Sequence, residues 1–171
     1  SAWPVAGEAP AGVERAGTPE AADFALTLTP EGGALHLVPP IGVLGVGCRR
    51  GTTAERLEEA FSAFCASSGL SPAAVSAAAS IDLKREEPGL AQFCEAHGWP
   101  ITFYSADQLR AVPGQFTPSA FVAGVTGVDN VCERAAAKAS GGALLLPKTA
   151  GGGVTLALAV RPFAPDWRTE Q

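Results

Sequence analysis

The sequence contains no methionine at all. We therefore expect a chain that was trimmed or that forms a piece of a longer protein. Histidine occurs only twice, as His36 and His97, and neither sits beside a cysteine pair. The four cysteines, Cys48, Cys65, Cys94 and Cys132, include no C-x-x-C spacing. This pattern argues against a structural zinc site, and no protein-bound metal is expected. Three of the cysteines fall inside helical patterns, where a free thiol packs as a small hydrophobe. Free thiols suit a reducing, cytoplasmic compartment. No apolar run approaches the ~20 residues of a membrane span. No basic start followed by an apolar stretch marks a secretory signal. The net charge is −5, so the surface as a whole lacks the basic excess of a nucleic-acid binder. No membrane or nucleic-acid partner is expected.

The residues that are present describe a folded domain. Hydrophobic residues make up 47% and charged residues 17%, enough to bury a core and too apolar for disorder. Residues 1–40 are expected to be a linker and the tail of a preceding domain, residues 41–163 the main domain, and residues 164–171 a tail. Residues 24–28 and 34–38 read as two short strands, with Glu31-Gly32-Gly33 suited to a hairpin turn between them. Residues 41–46 form a short apolar run typical of a buried strand. A helix follows, with Thr52 and Glu55 placed as a capping box and Gly69 as its stop. Its apolar face carries Leu57, Phe61 and Phe64. Residues 73–81 are rich in alanine and fit helix or strand; alternation with their neighbours favours strand. Residues 86–97 read as helix, with Pro88 in the first turn. Residues 101–104 read as strand, and Ser105 with Gln108 caps a short helix. Residues 111–119 read as a Pro/Gly loop, and 128–139 as helix. Residues 143–147 and 154–160 read as strands joined through Gly151-Gly152-Gly153. The alternation predicts a layered α/β/α domain with a mixed sheet of about five strands.

Four stretches could carry chemistry. Gly45-Val46-Gly47-Cys48-Arg49-Arg50-Gly51 lies between a strand and a capped helix, where backbone N–H groups, the helix N-terminus and two arginines suit an anion. Its G-x-G-x-x-x-G spacing misses the dinucleotide fingerprint, so no nicotinamide cofactor is expected. The plain alternative is a tight turn with solvated arginines. Ser80-Ile81-Asp82-Leu83-Lys84-Arg85-Glu86-Glu87-Pro88-Gly89-Leu90 puts both signs of charge at the carboxyl end of a strand, where α/β folds bind ligands. Lys84 suits a carboxylate and Glu87 a proton transfer; the alternative is dipole matching in the first helical turn. Thr126-Gly127-Val128-Asp129-Asn130-Val131-Cys132-Glu133-Arg134-Ala135-Ala136 sets Asn130, Glu133 and Arg134 within about one turn; the alternative is a surface ion pair. Leu146-Pro147-Lys148-Thr149, before three glycines, either covers a ligand or forms a flexible hairpin tip. Cys48 at a helix start suits a lowered pKa or a plain thiol. His97 lies on an apolar face and reads as structural.

These four stretches, in this order over residues 41–160, resemble the C-terminal domain of the CbiG/CobE family of cobalamin-biosynthesis proteins. The intact Cys-Glu-Arg-Ala-Ala run at 132–136 is similar to CbiG in particular. The resemblance implies a cobalt-precorrin-5A hydrolase, which opens the ring-A lactone of a corrin precursor and releases acetaldehyde. It implies a tetrapyrrole substrate fringed with acetate and propionate groups, whose cobalt belongs to the substrate and not to a protein cofactor. Other enzymes of the pathway, or an N-terminal domain, are the implied protein partners. Gly47, Arg49, Arg50, Lys84, Asn130, Arg134, Lys148 and Thr149 are then expected to bind substrate, with Glu87 and Glu133 as catalytic carboxylates. The competing expectations are a CobE-like module that binds or hands over a corrinoid without chemistry, and a scaffold that only contacts a neighbour.

Overall fold

The computed structural model describes residue 3, residues 5–116 and residues 130–167. Their centre is a five-stranded mixed sheet. In chain order its strands are β3 (Gly42–Cys48), β4 (Val75–Ile81), β5 (Ile101–Tyr104), β6 (Ala143–Gly151) and β7 (Val154–Val160), laid side by side as β5-β4-β3-β7-β6. The first three run parallel, and β7 runs antiparallel to both β3 and β6. Helices α1 (Ala54–Ser68) and α2 (Pro88–His97) cover one face. Helices α3 (Ala106–Arg110) and α4 (Val131–Ser140) cover the other. This is the expected layered α/β/α arrangement.

Alternation along the strands builds the two cores. Leu44 and Val46 of β3 face α1 and α2 with Leu57, Phe61, Phe64, Leu90 and Phe93. Val43 faces the other way, with Ala77, Ala79 and Ile81 of β4 and Ala135 of α4. Burying side chains such as Phe61 and Phe93 contributes about 2–3 kcal/mol each. His97 closes this first core. It stacks on Trp99 at 4.1 Å between ring centroids, meets Phe61 and Phe93 edge-on, and pairs with Glu58 at 2.7 Å. Ala77 and Ala79 of β4 face the second core, where α4 packs close to the sheet, whereas Ala78 faces the first.

Gly45 sets that approach. A Cβ there would collide with the backbone carbonyl of Cys132 in the first turn of α4. Gly89 does the same on the opposite face, where a Cβ would collide with the carbonyl of Thr52. The first turn of α2 therefore lies against the turn that starts α1.

Several local expectations change. The cap of α1 is Thr53, whose hydroxyl accepts the Arg56 N–H at 3.3 Å. Thr52 instead donates to the Arg49 carbonyl at 2.8 Å and closes the preceding turn. The two N-terminal strands, β1 (Phe24–Leu26) and β2 (Leu35–Leu37), are shorter than expected and pair in parallel, not as a hairpin. Between them Leu28 is buried in the main core and its carbonyl accepts the Ser71 N–H, so the chain is pulled away before it returns. Helix α4 starts at Val131, with Asn130 in the left-handed region at φ 52°. Residues 117–119 of the expected loop and 128–129 of the expected helix lie outside the described residues.

Gly45→Ala is expected to destabilise the domain by about 1–3 kcal/mol, the cost of overpacking against an unyielding backbone atom. The check is a lowered urea midpoint with an unchanged slope.

Candidate functional site

The strand directions gather the four stretches at one end of the sheet. The parallel strands β3, β4 and β5 finish there, and so does β6, because its hairpin with β7 turns opposite Cys48. The first turn of α4 lies over the middle of β3, where Cys132 sits against Gly45. Arg49, Arg50, Lys84 and Glu87 follow the ends of β3 and β4 at this edge, while Lys148 and Thr149 lie in β6 level with the middle of β3, up to a hundred residues away in sequence. Ligand sites of α/β sheets lie at such carboxyl ends.

On the α2 side the organising group is Glu87. Its side chain is 10% exposed, and both oxygens are held. Oε2 accepts the Gly51 N–H at 2.8 Å, and Oε1 accepts Lys84 Nζ at 3.3 Å. The Gly51 hydrogen bond above all, then Lys84 and Arg50, holds the Glu87 carboxyl below its usual range, against the opposing effect of burial. Arg49 and Arg50 are exposed. The Arg49 N–H donates to the Gly153 carbonyl at 3.0 Å, and its side chain lies along Gly153, tying the turn after β3 to the hairpin tip. Burial raises the Cys48 thiol, and Lys84 only partly offsets this. Cys48 is therefore a neutral thiol at pH 7.

On the α4 side the organising group is Glu133, which is 0% exposed. Its Oε2 accepts Asn130 Nδ2 at 2.5 Å, and its Oε1 accepts the backbone N–H of Lys148 at 2.6 Å. Lys148 and Thr149 lie in β6, not in a loop as expected. Lys148 lies within the break in register between Leu146 and Thr149, which Thr149 closes, and the Glu133 carboxylate accepts the Lys148 N–H at that bulge. Arg134 turns away from Glu133. Its Nη1 reaches the carbonyls of Val112 at 3.3 Å and Leu109 at 3.4 Å, and its guanidinium lies over the Phe116 ring. Burial pushes the Cys132 thiol up to about 11.

Gly47 joins the two sides. Thr155 of β7 covers it, with Oγ1 donating to the Gly47 carbonyl at 3.4 Å. Sequence reasoning passed over Thr155. Its signal was a single hydroxyl in the otherwise apolar run Val154–Val160. A groove of about 360 Å³ runs between α1 and the β6–β7 hairpin, with Arg56, Thr149 and Gly151 on its walls. A larger groove of about 650 Å³ between α1 and α2 is lined by Glu55, Glu58 and Glu59, a poor match for an anionic ligand. Among the described residues no three His, Cys, Asp or Glu side chains are grouped to hold a metal ion. Among the same residues no helix is long and apolar enough to cross a membrane.

Glu87 has a lowered pKa in the folded chain, so its pairing stabilises the fold above the ordinary carboxyl value of 4.5 and is lost as pH falls through the folded value. Glu87→Gln is expected to lower stability at pH 7 and to flatten the loss between pH 5 and pH 3. Thermal unfolding of both proteins across that range checks it.

The family described as cobalamin synthesis G C-terminus matches residues 42–159. A cobalt-precorrin-5A hydrolase of Priestia megaterium is 35% identical over 134 residues, covering 78% of this chain and 35% of that protein. The match thus spans about a third of the hydrolase's length. Protein CobE of a Sinorhizobium species is 33% identical over 120 residues, 68% of this chain and 78% of that one. The crystal structure of CobE, a protein of the cobalamin (vitamin B12) biosynthetic pathway, superposes with a TM-score of 0.64 at 35% identity, covering 72% of this chain and 92% of that one. With the family's span laid over the strands and loops that build this edge, the chain belongs to the cobalamin synthesis G C-terminal family, alongside CobE.

Proposed function

We propose that this domain binds cobalt-precorrin-5A by the carboxylates of its periphery, as part of a hydrolase that opens the ring-A lactone and releases acetaldehyde. The observation that supports this reading most is that Arg49, Arg50 and Lys84 follow the carboxyl ends of the neighbouring strands β3 and β4, with Lys148 on β6 of the same sheet. A macrocycle fringed with acetates and propionates needs several cations spread along a surface, not one deep pocket. Gly47 leaves room for the Thr155 side chain that covers it, and Thr149 lines the groove beside α1. Asn130 and Arg134 enter through the helix and loop they hold in place.

Lactone opening adds water across an acyl C–O bond, so a base must take a proton from the attacking water and the leaving oxygen must gain one. Of the two expected carboxylates, Glu87 and Glu133, Glu87 is the one proposed to move the proton. Glu87 is kept ionised by its donors and retains an edge on solvent, which suits proton acceptance.

A second reading is a module that holds or hands over the corrinoid without chemistry. It is favoured by one observation: each oxygen of both carboxylates already accepts a hydrogen bond from the protein. The longer share of CobE that is matched also supports it.

Titration of the chain with cobalt-precorrin-5A, followed by absorbance, is expected to show binding that weakens as salt rises. Lys84→Gln and Arg50→Gln are each expected to weaken it roughly tenfold, the loss of about one hydrogen bond to a charged group. Acetaldehyde in the same mixture supports the hydrolase. Binding without acetaldehyde supports the carrier. Absence of binding overturns both.

A further inference from the structure

Glu133 is the most deeply buried ionisable side chain along this edge, at 0% exposure. A general base must come within hydrogen-bond reach of the proton it takes, directly or through one water. Glu133 has no open face for either. Its carboxylate instead spans two elements. Oε2 is held by Asn130 at the start of its own helix, and Oε1 holds the Lys148 N–H on the edge strand. That N–H belongs to the bulge between Leu146 and Thr149, where the ladder to β7 is out of register. Without an acceptor there, a half-buried donor would be left unmade and the bulge would lose its anchor.

Asn130 is fitted to this task. It adopts φ 52°, ψ 56°, and its side chain makes no cap bond to the first turn of α4. Its amide reaches Glu133, and its carbonyl oxygen lies 3.5 Å from Cys132 Sγ. Asparagine tolerates this left-handed backbone better than most residues. The strained backbone thus aims the side chain at the carboxylate.

We propose that Glu133 is a positioning residue. Held by Asn130, it fixes the bulge of β6 so that Lys148 presents its ammonium group to the ligand. This rests on the proposed binding of a polycarboxylate at the edge, and it assigns Lys148 as the group through which Glu133 acts.

An exchange of side chains tests it. In Glu133→Gln the charge is lost, and the new amide nitrogen is accommodated only if Asn130 turns its carbonyl oxygen toward it and gives up its contact with the Cys132 thiol. Adding Asn130→Asp restores one donor and one acceptor with the charge moved to the neighbouring side chain, and leaves the oxygen of the introduced amide free for the Lys148 N–H. Titration with cobalt-precorrin-5A is expected to show Glu133→Gln roughly tenfold weaker. The double variant is expected within about threefold of the parent. Lys148→Gln is expected to add little to Glu133→Gln, because both remove the same contact. Hydrogen exchange of the Lys148 amide, read by NMR without ligand, is expected to accelerate in Glu133→Ala and to return to a protected state in the double variant. A double variant as impaired as Glu133→Gln, with Lys148 protected in both, overturns the positioning role and makes the carboxylate itself necessary. Full additivity of Lys148→Gln and Glu133→Gln also overturns it. If the parent chain does not bind the ligand, the binding reading falls. The amide exchange then decides whether Glu133 holds the bulge.

Discussion

The first turn of α4 lies directly on β3, with the Cys132 carbonyl occupying the space where residue 45 would carry a side chain. Much else depends on that contact. It forces alanine onto the neighbouring positions of β4 and α4, since a helix this close leaves no volume for larger groups. It also sets the height of the helix start above the sheet. Glu133, with Asn130 bonded to it, is thereby brought within reach of β6. A helix standing one side chain farther out would leave the Lys148 N–H without its acceptor.

The opposite face uses the same device through Gly89. Because α2 begins against the backbone of Thr52, the residue before its first turn, Glu87, reaches the Gly51 N–H. Each face of the sheet thus carries one carboxylate that bonds a backbone N–H on a neighbouring segment. Glu87 fixes the arginine turn, and Glu133 fixes the edge strand. The cations between them sit on a braced backbone, so less conformational freedom is lost when a ligand carboxylate is bound. Thr155 links the two halves through the Gly47 carbonyl. An edge braced in this way is common ground between the two functional readings, which differ only in whether a carboxylate also moves a proton.

How well the sequence could be read depended on the range of the interactions involved. Helix α2 was legible because Pro88 and Gly98 act within one turn of its ends. The capping box of α3 was legible for the same reason. Strand β4 was ambiguous because two of its three consecutive alanines, Ala77 and Ala79, answer to α4, fifty residues farther on. The cap of α1 lies one residue beyond the expected one because two adjacent threonines offer the same hydroxyl, and the choice falls to the Arg49 carbonyl. The residues between the N-terminal strands fit a hairpin turn. The burial of Leu28, a tertiary contact, decides for a parallel pair instead. The glycines after Lys148 suggest a loop, whereas a side chain from α4 keeps it in the strand.

By itself the sequence determined the layered fold, most helix ends and the family, because alternation, caps and contiguous motifs are local properties of the chain. It also named Arg49, Arg50, Lys84, Glu87, Glu133 and Lys148, since charge is visible without coordinates, but not Arg56, which lies against Gly152 at the hairpin tip. Only the tertiary structure decided which of those charges are occupied and by what. Glu87 and Glu133 look alike in the sequence, each an acid near a helix start. One keeps an edge on solvent beside a lysine, and the other is sealed beneath a bulged strand. That difference comes from two glycines that let backbones touch, and contacts between segments so distant in sequence carry no local signature.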